Sequence, residues 1–305
     1  MEDKRFNYQK VKKKYLKFLS SQEVMSEPFR DKLGQLNRFY LPMSKMIKND
    51  YTFKKQTKII GLTGGQGTGK STISNILKII LKEAYNLETV IFSIDDFYKT
   101  IKERKIMAKK ISPLFLTRGV PGTHDTKMLY SCIKNLKSSK FKKIIIPKFD
   151  KAIDNRASKN KWLKVKKKPN VVVFEGWCVG AEPQKKKDLL ISINKLEKQN
   201  DYKKTWRNKV NQELKQDYKK IFKLIDKIIF LKVPSFKYVF KWRLLQEKKL
   251  QRNLKGKKIM SKHKIKNFIM FYERITKHMI NTLTYKAHTM IKIDTKHRLK
   301  SIKFN

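Results

Sequence analysis

The chain has 305 residues and carries 75 Lys and Arg against 25 Asp and Glu, a formal net charge of +50. Its 40% hydrophobic content excludes a disordered chain and suits one large α/β domain or two small ones. No apolar run of about 20 residues occurs, and MEDKRFNYQKVKKKYLKFL at the N-terminus mixes acids with bases, so neither a membrane span nor a signal peptide is expected. Such a charge would suit a polyanion partner. However, Lys, Ile, Asn and Phe are abundant together, and the lysines run along the whole chain without the aromatic interleaving of an RNA-binding module. The charge is therefore read as compositional, with no specific nucleic-acid or membrane partner. Cys132 and Cys178 show no metal spacing, and a cytoplasmic setting is expected.

Residues 1–55 read as helices with loops. Leu16, Phe18 and Leu19 lie in the first run, Leu33, Leu36, Phe39 and Tyr40 follow, and Pro28 and Pro42 punctuate them. This is an N-terminal helical extension without chemistry of its own, ahead of a main domain over 56–305. KIIGLTG (58–64) is a short apolar run ending in glycine, the mark of a buried strand. A helix follows with Ile73, Ile76, Leu77, Ile80 and Leu81 on one face. TVIFSI (89–94), KIIIP (143–147), NVVVFEG (170–176), KIIFLKV (227–233) and MIKID (290–294) predict further strands, with helical stretches between them, one over 125–138. Alternating strands and helices predict an α/β fold with a doubly wound, mostly parallel sheet.

The segment GLTGGQGTGKST contains G-x-x-x-x-G-K-S at Gly64, Gly69, Lys70 and Ser71. Glycines let the backbone fold tightly enough for several N–H groups to point at phosphate oxygens, and the helix that starts near Lys70 adds its positive end. Lys70 would reach the β- and γ-phosphates of ATP, and the Ser71 hydroxyl would bind Mg²⁺. Gly64, Gly65, Gln66, Gly67, Thr68, Gly69, Lys70, Ser71 and Thr72 are thus the expected nucleotide cradle. Five of the 11 glycines, from Gly61 to Gly69, fall here.

Acids are scarce, and three of them end apolar runs: Asp95 and Asp96 after TVIFSI, and Glu175 in NVVVFEG. The carboxyl ends of parallel strands form the ligand crevice, so all three should lie near the loop. Glu175 suits a Mg²⁺-holding role. One of Asp95 and Asp96 suits a base for an acceptor hydroxyl, while the other caps the next helix.

SIDDFY (93–98), RGVPGTHD (118–125), PKFDKAIDNR (147–156), FEGWCVG (174–180) and VPSFKYVFKWRLLQE (233–247) follow in order. Together they resemble the plant-type D-glycerate 3-kinases, which belong with the uridine, pantothenate and phosphoribulose kinases, over roughly residues 58–295. The resemblance implies that Asp95 is the catalytic base and Asp96 its companion. It places Arg118, His124 and Asp125 in a substrate-side loop and Lys148, Lys151 and Arg156 in a basic acceptor segment. It also opens a lid over ATP near 241–260, with Arg243, or Arg252 beside it, as a cation on the transferring phosphoryl group. The family usually has P-R-Y-[ND]-K-S where this chain has PKFDKA at 147–152, and G-D-R where it has Ile153-Asp154-Asn155-Arg156. The implied reaction is ATP plus D-glycerate, or a similar hydroxy acid, to ADP and phosphoglycerate. An arginine pairing bidentately with a carboxylate suits such an acceptor. A kinase of another small hydroxyl compound, such as a nucleoside or pantothenate, is the alternative, and a nucleic-acid-associated ATPase a weaker one.

Overall fold

A computed structural model describes residues 6–23, 28–253 and 260–305, and over 248–253 the backbone alone. Five of the six apolar runs enter a six-stranded sheet. Its strands are β1 Lys58–Gly64, β2 Thr89–Ser93, β3 Val171–Gly176, β4 Lys227–Lys232, β5 Thr289–Ile293 and β6 Leu299–Phe304. In space they run β6-β5-β4-β1-β3-β2. All neighbours are parallel except β6, which runs antiparallel to β5. Two cores cover the two faces. Ile59, Val172 and Phe174 enter one, and Ile60, Leu62, Val171 and Val173 the other. Successive residues of a strand point to opposite faces, so a strand buried on both sides reads as an unbroken apolar run. The helix Lys70–Tyr85 buries the face expected of it, with Ile73, Ile76, Leu77, Ile80 and Leu81 inward.

One predicted strand goes elsewhere. Ile144–Ile146 pairs antiparallel with Leu163–Val165 in a separate two-stranded ribbon. Ile145 is 52% exposed there, which a strand covered on both faces does not permit. A second ribbon pairs Phe149–Asp150 with Asn155–Arg156. The antiparallel edge β6 has no counterpart among the predicted strands. Its exposed Lys300 and Lys303 protect an edge that would otherwise pair with another chain.

The helices Tyr8–Gln22 and Leu41–Lys54 place Val11, Tyr15, Leu19, Met43 and Ile47 in the core that also holds the inner face of Lys70–Tyr85. The Gln35 side chain exchanges hydrogen bonds of 3.1 and 3.2 Å with the Leu299 backbone, linking this segment to β6. Among the described residues no helix is long and apolar enough to cross a membrane.

Candidate active site

The glycine loop leaves the carboxyl end of β1, the sheet's inner strand between β3 and β4. Gly67 and Gly69 adopt φ of 77° and 83°, in the left-handed region that favours glycine. Gly67 is also needed for space, because a Cβ there would lie 2.8 Å from the Trp242 Cβ. Lys70 Nζ donates to the carbonyls of Gly64 and Gly65, each at 2.9 Å. Ser71 Oγ donates to Glu175 Oε1 at 2.8 Å. Glu175 is in register with Leu62 of β1 and Ser93 of β2, which brings it level with both the loop and the Asp pair. Burial pushes the Glu175 carboxyl up and the Lys70 ammonium down, and each charge opposes the other's shift.

Gln66, Gly67, Gly69, Lys70, Ser71 and Thr72 line a cleft of about 630 Å³. Gly64, Gly65 and Thr68 form the loop behind it; Gly65 packs on Val239, and the Thr68 hydroxyl donates to the Gly65 carbonyl at 2.9 Å. A groove of about 600 Å³ around Lys215, Lys219, Lys220 and Lys223 lacks both the glycines and a pair of acids.

Across the cleft, Ser93 begins a short 3₁₀ turn over Ile94–Phe97. Asp96 caps this turn: its Oδ2 accepts from Ser93 N at 3.0 Å, and Lys148 Nζ lies 3.0 Å from its Oδ1. Among the described residues the Asp95 carboxylate makes no such backbone contact. Its Oδ1 accepts from the Tyr98 hydroxyl and its Oδ2 from Lys151 Nζ, both at 2.8 Å. Burial alone would raise the Asp95 carboxyl, but the charge and hydrogen bond of Lys151, with help from Tyr98, hold it well below the usual carboxylate range.

Of the basic residues expected on the acceptor side, Arg118, Lys148 and Lys151 line the cleft. Arg118 pairs with Asp154, and its guanidinium lies 5.5 Å from the Phe149 ring centroid. His124 and Arg156 are not among the lining residues. His124 is fully buried, stacked on Tyr98 with ring centroids 4.5 Å apart, and hydrogen-bonded through Nδ1 to the Tyr218 hydroxyl. Burial lowers its pKa to about 3, so the ring is neutral. Arg156 donates to the Tyr98 carbonyl at 3.1 Å and to Asp125 at 2.9 Å. Asp125 in turn caps the helix Thr126–Lys137 by accepting from Met128 N. These residues build the wall that carries Tyr98 and do not face the cleft.

Arg243 does line the cleft, 2.7 Å from Glu247 and 6.0 Å from the centroid of the Phe268 ring. It stands on the helix Phe236–Asn253. The expected lid over 241–260 falls partly outside the described residues, which omit 254–259, and the Arg252 side chain lies outside them too.

Tyr98, Phe268 and Tyr272 are among the lining residues to which the sequence assigns no role. Tyr98 sits inside the DDFY run and was visible there. Phe268 and Tyr272 belong to the helix Lys262–Lys286, and the Tyr272 hydroxyl donates to the Arg118 carbonyl at 3.1 Å. Only folding brings that helix to a loop 154 residues earlier.

For a metal, the donors are the Ser71 hydroxyl and the Glu175 carboxylate. Among the described residues no group of three or more His, Cys, Asp and Glu is placed to hold an ion. Mg²⁺ is usually held by one or two carboxylates together with substrate phosphates, so this sparse set fits Mg²⁺ arriving with a nucleotide.

Residues 59–241 match the Phosphoribulokinase / Uridine kinase family. An uncharacterized kinase of Schizosaccharomyces pombe, mug58, is 34% identical over 239 residues, covering 75% of this chain and 83% of its own. A chloroplastic D-glycerate 3-kinase of Arabidopsis thaliana is 28% identical over 234 residues, 74% of this chain and 48% of the plant protein. The solved D-glycerate 3-kinase of Cryptococcus neoformans shares the fold, with a TM-score of 0.75 at 22% identity over 87% of this chain and 99% of the other. With the family match spanning most of the chain and the phosphate loop, the cleft and the acids arranged as they are, this chain belongs to the phosphoribulokinase/uridine kinase family and is an ATP-dependent small-molecule kinase.

Proposed function

We propose that the protein is a D-glycerate 3-kinase. The observation that carries this reading is the set of three cations, Arg118, Lys148 and Lys151, lining the same cleft as Asp95 and the glycine loop. An acceptor with a carboxylate beside its hydroxyl suits such a wall, since Arg and Lys bind carboxylates through charge-assisted hydrogen bonds. The Arabidopsis relative bears this activity in its name.

In the proposed reaction the loop amides and Lys70 hold the β- and γ-phosphates of ATP, with Lys70 exchanging its two carbonyl partners for phosphate oxygens. Ser71 and Glu175 would hold Mg²⁺, which neutralises phosphate charge when bound. The carboxylate of D-glycerate rests on Arg118, Lys148 and Lys151. Asp95 accepts the proton of the 3-hydroxyl while that oxygen bonds to the γ-phosphorus. The bond from phosphorus to the β–γ bridging oxygen breaks, and ADP leaves with that electron pair. Asp95 then releases its proton to solvent. Arg243, at the cleft edge, offsets charge on the transferring group, and positioning with electrostatics supplies most of the acceleration. His124 and Arg156 act one layer back, by fixing Tyr98 and the loop around it. A cytoplasmic setting belongs to the same proposal and suits two buried free thiols, Cys132 and Cys178.

Purified protein with Mg·ATP and a panel of acceptors tests the reading. The expected result is rapid turnover of D-glycerate to 3-phosphoglycerate. Turnover of uridine or pantothenate with none of glycerate would overturn it.

A further inference from the structure

The acids around the acceptor side of the cleft already hold cations: Asp95 holds Lys151, Asp96 holds Lys148 and Asp154 holds Arg118. One of these pairs bears directly on the chemistry. A carboxylate that accepts from an ammonium on one oxygen and a phenol on the other is a poor acceptor for a further proton. Asp95 is in that condition, and it cannot move away: it lies in the short turn after β2, with its backbone N–H bonded to Ser93 Oγ. Lys151 can move. It opens the turn between Phe149–Asp150 and Asn155–Arg156, its side chain is 63% exposed against 23% for Asp95, and its ammonium hydrogen-bonds to Asp95. Lys148, the neighbouring lysine, is engaged by Asp96 and does not substitute for it.

Building on the acidic acceptor proposed above, we propose that Lys151 senses acceptor charge: it masks Asp95 until an acceptor carboxylate draws it away, so the base is released only for an anionic acceptor. The exchange is favourable for an acid because the ammonium trades one carboxylate for another. For an uncharged acceptor, removing Lys151 leaves the Asp95 charge facing Glu175 in a buried site without its counter-ion, which is costly. Selectivity against neutral hydroxyl compounds thus arises at the base as well as at the carboxylate pocket.

The test compares D-glycerate with D-glyceramide, in which a neutral amide replaces the carboxylate, in the wild type, Lys151→Met and Lys151→Arg. Titration with a fluorescent ATP analogue verifies that each variant is folded. In Lys151→Met, kcat/KM for glycerate should fall about 10- to 100-fold, the range for loss of one charged hydrogen bond. Glyceramide turnover should rise, with the gain in kcat, because its base is no longer masked. Lys151→Arg should restore the preference for the acid. Parallel loss on both acceptors, or loss on glycerate with no gain on glyceramide, would overturn the masking role alone and leave the glycerate reading standing. A wild type that prefers the neutral acceptor would overturn both.

Discussion

A carboxylate that must accept a proton needs an oxygen it can free, whereas one that caps a turn has committed an oxygen to the backbone. Asp96 is the second kind, 6% exposed and bonded to Ser93 N, and Asp95, held by the Lys151 and Tyr98 side chains, is the first in the proposed reaction. Asp95→Asn keeps the shape and removes the basicity. It should leave nucleotide binding near wild type and cut single-turnover phosphoryl transfer by about 10²- to 10⁴-fold. Asp96→Ala should instead lower unfolding stability by about 1 kcal/mol, the usual worth of a cap, and retain turnover. The opposite pattern would exchange their roles. His124 supplies a second residue-scale prediction. Its folded pKa, about 3, lies below the ordinary 6.5 because burial disfavours the charged ring. The unfolded chain therefore binds more protons between those values, and the stability tied to the neutral ring is complete above pH 6.5 and lost as pH falls toward 3. Unfolding free energies measured across this window should show a shallower slope in His124→Gln.

The hairpin that pairs Phe149–Asp150 with Asn155–Arg156 is short, two residues against two, and such a ribbon does not hold itself. Arg104 anchors it from outside. This arginine is fully buried in the helix Ile101–Lys110 and donates to the carbonyls of Lys99, Leu116 and Asp154, with the Asp154 carboxylate 2.9 Å away. Asp154 sits at φ 53°, a left-handed conformation that Asp tolerates better than most residues, and it also pairs with Arg118. The chain that resembles G-D-R without its glycine thus keeps the turn and ties it to two arginines. Arg104→Met would strand these carbonyls. It should cost about 2–3 kcal/mol and raise KM for the acceptor while leaving KM for ATP near wild type. Equal rises in both KM values would show that the anchor serves the whole cleft.

At the scale of the molecule, a net charge of +50 sets the behaviour in solution. The scarce acids are drawn to a few places, including Asp95, Asp96 and Glu175 in the cleft and the buried Glu197–Arg274 and Asp201–Arg207 pairs. The lysines that remain repel one another. Salt screens that repulsion, with the Debye length falling from about 30 Å at 0.01 M to about 8 Å at 0.15 M. The unfolding temperature should therefore rise over this range. A fall in calorimetric scans would mean that the surface ion pairs outweigh the repulsion.

Five of the six sheet strands, the P-loop helix and the phosphate loop were legible in the chain itself. Each depends on residues close together in sequence: apolar runs for strands covered on both faces, and glycines spaced around Lys70 and Ser71. The acids at the strand ends were legible for the same reason, since a parallel sheet delivers them to one edge. Folding settled the pairings. That Ile144–Ile146 leaves the sheet, that His124 turns inward behind Tyr98, that Asp96 caps while Asp95 meets Lys151, and that Tyr272 reaches Arg118 all depend on contacts between distant segments. Apolar periodicity reports that a residue is buried, but the partner it meets there is chosen by how whole elements pack.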